Sequence, residues 1–273
     1  MTTDIDQHQT EPAGRLSQLA LPRSAGRVLA ACASSSSLCP ELPLRDPLAE
    51  RVFGYLGGRL EQFSELELRC AAFRAHLVDQ LANDYFQRTP GGLGIGVWSL
   101  LGTRAHRLEQ SRWVDVDPPA VAKLRSHLFP ERRHWLQLGS CLCNSAWVDA
   151  VHGKSGRKAL FVMDESVLPL CGNAMMSLLD GLSRRASAGS EVLLAFDAHT
   201  PLRPGLPLRR GAALELVLRD RGGQESIVRY PRLRFVDKDL YAEKLGTSLA
   251  GVNAVARLRH GIDAPALAHL TLV

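Results

Sequence analysis

The residues of this chain best suited to chemistry stand where runs of apolar residues end. Asp115 and Asp117 close "RWVDVD", Cys141, Cys143 and Asn144 follow "WLQLG", Asp164 and Glu165 follow "ALFVM", and His199 follows "LLAFDA". A carboxylate ending a strand can accept hydrogen bonds from both vicinal hydroxyls of a ribose, and ligands of parallel sheets sit outside the carboxyl ends of the strands. Asp117 is the residue suited to that task; its structural alternative is a helix N-cap ahead of Pro118-Pro119. His199 is the best-placed general base, although an isolated histidine is more often structural. Cys141 and Cys143 share a face if the segment is extended, but a zinc site would need two more ligands that no motif supplies. They read as small buried hydrophobes, and no metal is expected.

These residues need elements to position them. Residues 1–22 are polar and read as a mobile tail. Residues 23–90 read as a helical cap: a small-residue helix over 25–34, a loop through "SSSSLCPELPLRDP", a short helix over 47–56 with Asp46 as N-cap and Pro47 in its first turn, and a helix over 65–87. After Pro90-Gly91-Gly92 the pattern changes. Short apolar runs now alternate with helical stretches, which predicts βαβ units and a parallel, doubly wound sheet over 91–273. Near the end, "AALELVLRD" and "QESIVRY" read as an antiparallel hairpin, with "LAHLTLV" as a last strand.

Composition excludes several classes. With 33 Lys and Arg against 28 Asp and Glu, the charge of +5 is spread along the chain, and the densest basic clusters are dipeptides such as Arg132-Arg133. That is a solvated surface and not a nucleic-acid track. No apolar run approaches the ~18 residues of a membrane span, and the start carries no signal-peptide pattern. The expectation is a cytoplasmic protein that handles a small molecule without nucleic acid or membrane, with a homodimer as the candidate assembly.

Taken in order, "LRDPLAERV" (44–52), "RCAAFRAHLVDQL" (69–81), "GTRAHRL" (102–108), "RWVDVDPPAVAKLR" (112–125), "SAWVDAV" (145–151), "ALFVMDESVLPL" (159–170) and "LLAFDAHTP" (193–201) resemble the leucine carboxyl methyltransferase superfamily, which includes bacterial O-methyltransferases of polyketide and other secondary-metabolite pathways. The resemblance implies a seven-stranded class I methyltransferase sheet with an N-terminal helical cap and S-adenosylmethionine as cofactor. It carries Arg69 onto the arginine that pairs with the methionine carboxylate, Asp117 onto the ribose acid, and Asp164 onto a position usually held by Glu.

Other positions depart from the family. Its glycine-rich turn, typically LGAGLDTR, aligns without gaps to Val97–Arg104, which puts Trp98 and Leu100 in place of two glycines. A shifted register would instead let Gly94 and Gly96 make the turn. The Asp-Leu pair that meets the adenine falls on Cys141-Leu142, keeping only Leu142. The implied activity is methyl transfer to a carboxylate or hydroxyl oxygen of a small secondary metabolite. No residue is assigned to catalysis, because a carboxylate acceptor needs positioning and no base. The altered turn keeps two alternatives open: a lyase or cyclase that consumes the cofactor, as azetidine-2-carboxylate-forming relatives do, and a non-catalytic binding protein.

Overall fold

The computed structural model describes residues 21–108, 112–141, 145–152, 157–163, 172–195, 202–204, 210–219, 224–240 and 266–273. The tail expected over 1–22 therefore lies outside the described residues, apart from Leu21 and Pro22.

The amino-terminal part is helical: α1 (Arg23–Leu38), α2 (Pro47–Tyr55), a single 3-10 turn (Leu60–Gln62) and α3 (Glu65–Arg88). Local sequence explains their starts. Asp46 accepts a hydrogen bond from the Ala49 amide with Pro47 in the first turn of α2, and Ser64 with Glu67 forms a reciprocal capping box at the start of α3. The serine run expected as loop is helical instead. Ser34 and Ser37 return their hydroxyls to Ala30 O and Ser34 O, and Ser35 reaches Cys32 O and Leu44 O, so the polar groups are satisfied without leaving the helix.

The rest alternates as β1 (Leu93–Val97), α4 (Arg104–Arg107), β2 (Arg112–Asp117), α5 (Pro119–Leu128), β3 (Trp135–Gly139), α6 (Ala146–His152), β4 (Ala159–Met163), α7 (Gly172–Arg185) and β5 (Glu191–Ala195). It ends in β6 (Leu202–Pro204), β7 (Ala213–Arg219), β8 (Glu225–Leu240) and β9 (Ala266–Leu272). The strand order is 3-2-1-4-5-9-8-7-6. The first five strands pair in parallel, and β9 then runs antiparallel to both β5 and β8. This is a doubly wound, Rossmann-like α/β sheet whose strand order reverses at β1 and β4. The expected hairpin is β7–β8. The described sheet has nine strands and not seven: the order 3-2-1-4-5-9-8 accounts for seven, and β7 and β6 extend it at the far edge.

Strand alternation sorts the side chains onto two faces. Leu160 and Val162 join Trp113, Leu193 and Ala195 in a core shared with the cap helices, while Phe161, Met163, Val114 and Val116 pack with α6 and α7. One hydrophobic cluster thus joins the cap to a face of the sheet, and its neighbour forms the layer behind.

Candidate functional site

The turn after β1 answers the choice of register. Trp98 and Leu100 both have left-handed backbone, with φ of 56° and 49°. Those are the positions at which the ungapped register places glycines. Such φ values are uncommon for a bulky residue and cost roughly 1–2 kcal/mol each. Gly94 and Gly96 lie within β1, so the register in which they make the turn is corrected.

Their lack of a side chain serves the neighbouring strand instead. A Cβ on Gly94 would stand 2.2 Å from the Trp113 ring, and one on Gly96 would stand 2.2 Å from Ser99 Oγ and 2.3 Å from Asp115 Oδ1. Both glycines face their registered partners on β2, Trp113 and Asp115. The bulk removed from β1 is taken up by the indole and the carboxylate.

The Leu100 side chain is buried against Ala25 and Val121, and the Trp98 ring packs with this group and with the far-face core. The Trp98 indole N–H is buried without a hydrogen-bond partner among the described residues.

Asp117 ends β2 as expected, but it is fully buried and internally engaged. Leu100 N donates to Oδ1 at 2.7 Å and Gln137 Nε2 donates to Oδ2 at 2.9 Å. Arg125 Nε stands 3.6 Å from the same carboxylate. Arg125, also fully buried, donates to Asp115 Oδ2 at 2.6 Å and to the carbonyls of Leu100 at 2.5 Å and Gly102 at 2.9 Å. Phe129 and Trp135 flank its guanidinium. Asp115 accepts further hydrogen bonds from Ser99 and from the indoles of Trp113 and Trp135. A ribose would need the two Asp117 oxygens that Leu100 and Gln137 hold, so in this arrangement the acid does not fit the sugar.

Burial pushes Asp117 up to about 6, against the pull of Arg125. Between about pH 4 and pH 6 the folded chain then holds a proton that the unfolded chain has released, so this group's contribution to stability falls as pH rises through that window. Asp117→Asn is expected to flatten the pH dependence of Tm there; an unchanged profile would show that Asp117 titrates normally.

Arg69 lies elsewhere. Its guanidinium donates to Leu38 O and pairs with Glu41 at 2.7 Å, holding the end of α1 against α3. Asp117 and Arg69 are therefore not brought together, and in the described form Arg69 serves the cap. Leu142, Asp164, Glu165, Cys143 and His199 lie outside the described residues. Cys141, expected to be buried, is exposed because β3 ends two residues earlier.

Sequence reasoning missed three arginines. Arg125 stood out by nothing but charge in a helix, and Arg74 is the α3 arginine that is buried, at 4% exposure. Arg107, within "GTRAHRL", bonds Asp79, Asp46 and Thr103, while Arg104 also meets Asp79 at 2.9 Å. Burial alone would lower Arg107, but Asp79 and Asp46 raise it well above its ordinary value. This motif therefore pins the turn to α2 and α3. A partial signal was present: Asp79 has Ala75, Val78 and Ala82 as helical neighbours, so its carboxylate faces an apolar surface and needs a cation beside it.

No protein-family model matches the chain. It is 32% identical over 101 residues to the tetracenomycin polyketide synthesis O-methyltransferase TcmP of Streptomyces glaucescens. The match spans 36% of this chain and 37% of TcmP. Among solved structures, a TehB-like S-adenosylmethionine-dependent methyltransferase of Corynebacterium glutamicum aligns with a TM-score of 0.44 at 13% identity, covering 82% of this chain and 94% of that one. The CcbJ methyltransferase of Streptomyces caelestis aligns at 0.42 and 9% identity, covering 71% and 89%. At these scores and identities the structural likenesses carry no functional weight.

Proposed function

We propose that this chain is an S-adenosylmethionine-dependent methyltransferase whose acceptor is a carboxylate or hydroxyl oxygen of a small metabolite. The observation that carries the reading is the turn. The backbone is left-handed at positions 98 and 100, the two positions where the resembled family has glycine, although Trp and Leu make that conformation costly. The partial similarity to TcmP points the same way.

One observation favours a second reading, a non-catalytic binding protein. Asp117 is used up by the chain's own donors, so no catalytic step is assigned to it. Thermal unfolding separates the two. A ligand at 100 times its dissociation constant stabilises the fold by about 2.7 kcal/mol. With S-adenosylmethionine or S-adenosylhomocysteine the methyltransferase reading expects Tm to rise by several degrees. No rise at millimolar concentration would overturn it and leave the second reading.

A further inference from the structure

The amino-terminal ends of β1, β2 and β3, at the opposite edge of the sheet from the turn, surround a cavity of about 370 Å3. Arg112, Arg133, Arg157 and His134 line it, together with Leu93, Val114, Leu136 and the buried Trp113; among the described residues, no Asp or Glu lines it. Among the described residues, none of these three arginines forms an ion pair, in contrast to Arg104, Arg107 and Arg125 in the interior. All three are exposed. Leu136, 68% exposed, stands in the same cavity as an apolar surface open to solvent.

Three arginines lining one cavity beside an apolar floor carry more positive charge than a single carboxylate would neutralise, and planar guanidinium forks match a phosphoryl group two oxygens at a time. The geometry points to a second ligand site here, which takes a small organic phosphate with its phosphoryl group among Arg112, Arg133 and Arg157 and its apolar body against Leu136 and Trp113. The confined volume fits a small molecule and not a polymer. The site lies at the opposite edge of the sheet from Asp117 and does not depend on the methyltransferase reading.

Calorimetric titration of the full chain with phenyl phosphate tests it, with benzoate, phenol and a single-stranded oligonucleotide as comparison ligands. Saturable binding of phenyl phosphate is expected. Losing a charge-assisted contact weakens binding by about tenfold or more, so Arg112→Ser and Arg133→Ser should each show that loss. Both residues are on the surface, and an unchanged melting curve confirms that each variant is folded. Equal affinity in the variants, benzoate binding as tightly as phenyl phosphate, binding of the oligonucleotide alone, or no binding at all would each overturn the proposal.

Discussion

Replacing Arg125 with methionine is expected to cost about 3–5 kcal/mol, the range for breaking a buried ion pair from one side. For a chain of this size that lowers Tm by roughly 10 °C. The reason lies in what remains. Asp117 would be fully buried without its cation, and the carbonyls of Leu100 and Gly102 would lose the donor that ties the turn to α5. Asp115 would suffer less, because Ser99, Trp113 and Trp135 still donate to it. Adding Asp117→Asn to Arg125→Met should therefore recover part of the loss, a coupling that a double-mutant cycle reads directly. Denaturation showing a cost below 1 kcal/mol for Arg125→Met would mean that the cluster does not hold the turn.

Trp98→Gly is the second large effect, on binding and not on stability. Glycine removes the left-handed strain of roughly 1–2 kcal/mol and a buried indole N–H that lacks a partner among the described residues, offsetting the apolar contact that is lost. Stability should thus change little. Removing the indole also lets a ligand approach the turn backbone closely, and S-adenosylhomocysteine affinity is expected to rise about tenfold, or 1.4 kcal/mol. Unchanged affinity in a folded variant would place the indole outside the ligand's path.

Much of the scaffold was legible from sequence. Asp46-Pro47 announced the start of α2, apolar runs marked the parallel strands, and "AALELVLRD" with "QESIVRY" announced the β7–β8 hairpin, because capping chemistry and strand periodicity are local. The site was legible only in position. Asp117 was placed correctly at the end of β2, but its partners Leu100, Gln137 and Arg125 come from the preceding turn, from β3 and from α5, and no local pattern reports which side chains a strand end will meet. The same limit misassigned Gly94 and Gly96. Sequence shows that glycine permits a turn, whereas here the absent Cβ makes room for Trp113 and Asp115 on the neighbouring strand. Arg69 and Arg74 lie five residues apart on one helix, and only packing shows that the second is the buried one.

The most direct test of the central claim, that this turn forms an S-adenosylmethionine site, is calorimetric titration of the full chain with S-adenosylmethionine. The methyltransferase account predicts saturable, one-to-one binding. Binding that is absent at millimolar ligand would contradict it.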